Sequence, residues 1–198
     1  LYKLGYSKKE IKSIVGEEES TYAPEQNPEE YTVKIALPKE YKPLWRVTEK
    51  SYEYLNAIRF LKSRGVVLED IYRYQIGYCD DGQYKNRIII PSFDRNNQVN
   101  YFISRIYYDE GMKYKNPPAS RNNIIFENLI NWNMPIVLVE GIFEAIAVRR
   151  NSIPLLGKLL SDRLRQTLVK EKPPMVYVML DKDAQNEAVK IESYLKSV

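Results

Sequence analysis

The sequence has 198 residues, a formal net charge of +4, one cysteine (Cys79) and no histidine. A lone cysteine excludes an internal disulfide framework and a cysteine-rich zinc site within this chain, and the lack of histidine removes histidine-based triads and histidine-ligated zinc. No apolar run approaches the roughly 20 residues that span a bilayer, so no membrane role is expected, and so mild a charge does not by itself argue for nucleic acid.

Residues 1–34 open on Leu1 rather than Met, and the chain is read as a fragment of a longer protein. Ile11, Ile14 and Val15 are spaced for a short helix, and Glu17 to Glu30 is acidic, proline-containing and aperiodic, the character of a linker. Residues 35–134 are read as a smaller mixed α+β subdomain of basic character. There Ser51 is placed to N-cap a helix that buries Tyr54, Ile58 and Leu61 and stops at Gly65. Two strands follow, Arg87 to Pro91 and Gln98 to Tyr108, joined by a turn rich in Asp and Asn. Period-two alternation puts Val99, Tyr101, Ile103 and Arg105 on one face, where Arg105 is either a snorkelling rim residue or a ligand contact. Lys113, Lys115 and Arg121 share a segment with Gly111, Pro117 and Pro118 and are expected on a loop. Tyr101, Tyr107, Tyr108 and Tyr114 are interleaved with cations, as in a single-strand stacking platform, but tyrosine also favours strands and most of these are expected to pack.

Residues 135–198 alternate strand and helix patterns. Ile136 to Val139 and Met175 to Leu180 are apolar runs that read as strands covered on both faces, as in a parallel sheet. Between them Ile142, Phe143, Ile146 and Ala147 have helical spacing, Ile153 to Leu156 reads as a short strand, and Ser161 is placed to cap a helix burying Leu164 and Leu168. Lys172-Pro173-Pro174 stops that helix, and Ala184, Ala188, Ile191 and Leu195 form one stripe of a closing helix. The order predicts a parallel sheet flanked by helices, with ligands gathering beyond the carboxyl ends of its strands. The two apolar runs end in Glu140-Gly141, with Glu144 three residues on, and in Asp181-Lys182-Asp183. Acids at strand ends also occur as plain solvated loop residues, and Asp183 is equally placed to N-cap the last helix. If the strands are neighbours, four carboxylates crowd together, and a hard, oxygen-seeking cation such as Mg²⁺ or Mn²⁺ is their natural counter-charge. Gly141 fits a turn where the backbone passes close to a ligand.

Val139-Glu140-Gly141 followed by an acid, with a later strand ending in Asp-x-Asp, resembles the signature of the TOPRIM domain found in DnaG-type primases, type IA and type II topoisomerases and some nucleases. Upstream the resemblance narrows to primases. It is carried by Arg87 to Asp94, by Ser104-Arg105-Ile106, by Lys113-Tyr114-Lys115-Asn116-Pro117-Pro118, and by Tyr54 to Gly65 with Ile76-Gly77-Tyr78. It covers roughly residues 50 to 198 and implies a TOPRIM-like sheet over 135–198 preceded by the basic subdomain. The implied activity is metal-dependent synthesis of RNA primers on a single-stranded DNA template from ribonucleoside triphosphates. A replicative helicase is the implied partner, the implied location is the bacterial cytoplasm, and a phage-encoded origin is open. The implied metal ligands are Glu140, Glu144, Asp181 and Asp183, with Glu140, Asp181 and Asp183 catalytic. The implied nucleotide and nucleic-acid contacts are Arg87, Arg105, Lys113, Lys115, Asn116 and Lys158. The zinc of such proteins belongs to a separate domain that is not in this chain.

The chain departs from the pattern in several places. Phe126-Glu127-Asn128 lacks the Lys expected there, Lys158 replaces the Thr of a Leu-Gly-Thr segment, Glu144 stands for an Asp, and no third acidic cluster follows Asp183. Two other readings therefore remain: a TOPRIM nuclease using the same acids, and a non-catalytic nucleic-acid-binding replisome adaptor. A topoisomerase is disfavoured because no Tyr lies in a recognisable nucleophile domain.

Overall fold

Residues 35–48, 50–108, 110–120 and 122–197 are described by a computed structural model. The short helix and acidic linker expected before residue 35, and Arg121, lie outside the described residues. Two sheets organise the rest. The first is antiparallel with strand order β1-β2-β3-β4, where β1 is Lys42–Pro43, β2 Gly77–Cys79, β3 Arg87–Phe93 and β4 Val99–Ile106.

Between β1 and β2 lie helix α1, Tyr52–Ser63, and helix α2, Leu68–Arg73. Ser51 caps α1 by accepting a 3.2 Å hydrogen bond from the Tyr54 amide, as its position predicts. At the other end Gly65 adopts φ +74°, and the amides of Gly65 and Val66 bond back to the Lys62 and Leu61 carbonyls. That paired closure satisfies the last carbonyls of the helix and needs a left-handed residue at this point. The β3–β4 hairpin turns through Asp94, whose carboxylate accepts from the amides of Asn96 and Gln98. Both faces of this sheet are covered. Ile88, Ile90, Tyr101 and Ile103 join the main core, while Cys79, Tyr84, Ile89 and Phe102 form a smaller one behind it.

The second sheet is parallel, with order β6-β5-β7, where β5 is Ile136–Val139, β6 Ser152–Pro154 and β7 Val176–Met179. Helix α3, Ile142–Val148, connects β5 to β6; α4, Asp162–Glu171, connects β6 to β7; and α5, Gln185–Ser197, follows a 3-10 turn at Lys182–Ala184. Leu164 and Leu168 of α4 and Ile191 of α5 pack with Ile136, Leu138 and Ile153. Val139, Ile142, Ala145 and Ile146 instead join the main core with α1 and the antiparallel sheet. Phe60 of α1 meets Phe143 of α3 edge-on at 6.0 Å.

Two local expectations are corrected. The β7 run is not covered on both faces: Tyr177 and Met179 are 50% and 58% exposed, because only its Val176 and Val178 side packs into the core. Asp183 does not cap the last helix; it lies inside the 3-10 turn, whose N-cap position belongs to Asp181. Among the described residues, no helix is long and apolar enough to cross a membrane.

Candidate metal centre and basic surroundings

The parallel pairing of β5 with β7 sets Val139 opposite Met179, so both chains leave the sheet at the same edge. Glu140 follows one strand immediately, and Asp181 and Asp183 follow the other. Their carboxylate oxygens come within 4.8 Å of one another. Glu140 Oε2 is buried and makes no hydrogen bond, an arrangement that is costly for an acceptor unless a cation or donor joins it. An all-oxygen donor set with an orphaned carboxylate oxygen fits Mg²⁺ or Mn²⁺.

Glu144 stands apart from this group. It sits in the first turn of α3 and helps wall a cavity of about 360 Å³ together with Tyr114, Asn116, Glu140, Gly157 and Asp181. A Cβ added at Gly141 would collide with the Glu144 carboxylate. The close approach that Gly141 permits is therefore to this side chain, which is laid back over the strand-to-helix turn. Lys158 also meets the cluster, its ammonium donating to Asp183 Oδ2 at 2.7 Å. That bond and the positive charge behind it hold the Asp183 carboxyl below its ordinary range and raise the Lys158 ammonium.

The basic residues divide by environment. Arg105 pairs across the sheet with Ile88 on the main-core face. Its guanidinium lies 5.7 Å from the Phe60 ring and 5.1 Å from the Tyr114 ring, and its Nε and Nη1 are buried without a hydrogen bond. Stacked on two rings with donors unspent, it is the described basic side chain best prepared for an anion. Tyr114, which flanks it, also walls the acidic cavity.

Residues 113–116 are more ordered than a plain loop. Tyr114 bridges Arg105 antiparallel, the Ile106 amide bonds the Lys113 carbonyl, and the Lys115 amide bonds the Ser104 carbonyl. The open edge of β4 recruits the segment, since unpaired strand groups seek partners. Asn116 secures it by accepting from the Ser104 amide at 3.1 Å.

Arg87 is buried beneath that segment. Its Nη2 donates to the Met112 carbonyl at 2.8 Å, and burial, with Arg105 nearby, lowers its pKa. It braces residues 112–116 and is not open to a nucleic acid. Lys115 is similarly committed, donating to the Gln83 carbonyl at 3.0 Å on the side of Tyr84. Lys113 is exposed.

No protein-family model matches the chain. Uncharacterized proteins of Mycoplasma genitalium and Mycoplasma pneumoniae are each 28% identical to it, over 155 residues (72% of this chain, 70% of the relative) and 167 residues (78% and 77%). Among solved structures, a DNA primase domain from Pseudomonas aeruginosa superposes with TM-score 0.62 at 17% identity, covering 78% of this chain and 63% of that one. The zinc-binding and RNA polymerase domains of the Aquifex aeolicus primase give 0.59 at 18% identity, with 77% and 54% covered. The RNA polymerase domain of Mycobacterium tuberculosis DnaG gives 0.60 at 14% identity, with 73% and 65% covered. The chain has the fold of the DnaG-type primase catalytic core. It spans between 54% and 65% of the length of these three structures.

Within this primase-core fold, one feature escaped the sequence. Glu127, where the resemblance expects a Lys nearby, is buried with its side chain 2% exposed. It accepts from Arg95 Nε at 2.7 Å and Arg163 Nη2 at 2.8 Å, and Arg95 also reaches Glu171 at 2.7 Å. The network ties the β3–β4 turn to α4, and so the antiparallel sheet to the parallel one. The signal in the sequence is a Glu directly after the apolar run Ile124-Ile125-Phe126.

Proposed function

We propose that the protein is the catalytic core, or part of it, of a DnaG-type primase that joins ribonucleotides on a single-stranded DNA template. The observation that carries this reading is the convergence of Glu140, Asp181 and Asp183 at one sheet edge. Glu140 and Asp181 share their cavity with Tyr114, the ring on which the unpaired Arg105 lies. In this reading residues 35–134 form the subdomain facing nucleic acid and 135–198 the TOPRIM subdomain. Glu140, Asp181 and Asp183 hold Mg²⁺ or Mn²⁺, with Glu144 an additional ligand. Such ions supply charge stabilisation to the attacking 3′ hydroxyl and the leaving pyrophosphate. Glu140 is also placed to accept a proton. Arg105 and Lys113 neutralise phosphates, a sequence-independent and salt-sensitive contribution, and Asn116 holds the wall they share.

Similar structures carry ligands that fit. One is a DnaG primase catalytic domain bound to single-stranded DNA, and another is the Mycobacterium tuberculosis domain in complex with double-stranded DNA. Single-stranded DNA and ribonucleoside triphosphates are the partners proposed here, and the cytoplasm the location.

A second reading, a nucleic-acid-binding adaptor without catalysis, is favoured by two observations. Lys158 already neutralises Asp183, and Glu127 with its two arginines occupies the stretch where the primase pattern has a Lys. The test supplies template, Mg²⁺ and ribonucleotides and looks for short RNA. RNA that disappears with Glu140→Gln supports the primase, DNA cutting without nucleotides supports a nuclease, and DNA binding without either product supports the adaptor.

A further inference from the structure

Lys158 belongs to the loop after β6, and its approach to the acids is built into the backbone. Leu156, two residues earlier, adopts φ +53°, a left-handed conformation that residues with a Cβ rarely take. The turn delivers the Lys158 ammonium to Asp183 Oδ2 at 2.7 Å. The side chains are 35% and 75% exposed, so the pair adds little to folding. Yet it falls on a carboxylate whose oxygens lie within 4.8 Å of those of Glu140 and Asp181. An exposed pair of slight structural value, held on one member of an acidic trio, is placed to control what else that trio binds.

We propose that Lys158 is a tethered counter-cation of the acidic centre that competes with divalent metal for Asp183. The proposal deepens the metal-centre reading and rests on it. The ammonium is delivered by the chain itself and is present at high effective concentration whenever the loop is in place. A divalent ion using Asp183 must displace it or bind beside it, against a unit positive charge a few ångströms away. Glu140 and Asp181 are left as the resting ligands, and Asp183 joins only when Lys158 lets go. A released ammonium is then free to turn to a phosphate group, so one residue exchanges between two anions of the same site.

The test measures Mn²⁺ binding to the full chain by electron paramagnetic resonance titration, with no nucleotide or DNA present. Removing a unit charge near a divalent ion in a solvent-exposed site should tighten binding by roughly tenfold. Lys158→Thr is therefore expected to bind Mn²⁺ about that much more tightly than the natural protein, and Lys158→Arg, which keeps the charge, about equally to it. Adding Asp183→Asn to Lys158→Thr should erase the gain. Equal affinity of Lys158→Thr and the natural protein, or a gain that survives Asp183→Asn, overturns the proposal while leaving the metal centre standing. Absence of Mn²⁺ binding in every variant overturns both.

Discussion

The Glu127 network predicts an unequal response to losing its acid or its bases. Glu127 is almost fully enclosed, whereas Arg95 and Arg163 are 42% and 43% exposed. If Glu127→Gln removes the charge, both arginines can turn to water, and the cost is the loss of two charge-assisted hydrogen bonds less what solvation returns, about 1–2 kcal/mol. If Arg95→Met and Arg163→Met are combined, an ionised carboxylate stays buried with no cation, which costs about 3–5 kcal/mol. Loss of the exposed Arg95–Glu171 pair adds at most about 1 kcal/mol. Adding Glu127→Gln to that double variant should return about 1–3 kcal/mol, because the stranded charge is gone. Urea unfolding with an unchanged denaturant slope reads all four proteins on one scale. If Glu127→Gln costs as much as the double arginine variant, or restores nothing when added to it, the network is not the buried-acid clamp described above.

Cys79 is fully buried beside Tyr84, Ile89 and Phe102, and burial pushes its thiol up to about 12. At pH 8 it should resist a disulfide reagent in the native protein and react readily in urea; rapid native labelling would refute this cluster. Since the folded pKa lies above the ordinary 9.0, the stability linked to the neutral thiol is intact below pH 9 and declines as pH climbs toward 12. Arg105→Ala with Lys113→Ala should weaken single-stranded DNA binding and flatten its log–log salt dependence by about 1.4, two contacts at about 0.7 each. An unchanged slope would mark those cations as surface charges. The tenfold Mn²⁺ effect of Lys158→Thr completes the set.

What was legible in the sequence is what neighbours along the chain decide. The spacing around Ser51, Tyr54, Ile58, Leu61 and Gly65 contains the α1 cap and stop, which form, and a stripe in which Leu61 is buried while Tyr54 and Ile58 are partly buried against the main core. The runs ending at Glu140 and Asp181 contain two buried-type segments with acids at one end, and parallel pairing brings those ends together. What was not legible depends on distant partners. Arg87 reads as a ligand until Met112, 25 residues on, takes its Nη2. Lys158 and Asp183 are 25 residues apart, and they meet where the loop after β6 passes through Leu156 at φ +53°. Glu127 finds its arginines 32 and 36 residues away. The apolar run of β7 gives no sign that one of its faces lacks a covering layer, so nothing in it marks Tyr177 and Met179 as exposed.

Primer synthesis with Asp181→Asn and Asp183→Asn combined decides whether the acidic centre is catalytic. Both acids are exposed, so removing clustered negative charge there should leave the thermal midpoint unchanged or slightly raised. Short RNA is expected from the natural protein with single-stranded template, Mg²⁺ and ribonucleotides, and none from the double variant, while DNA binding through Arg105 persists. RNA synthesis that survives loss of both aspartates in a folded protein would contradict a catalytic role for that centre.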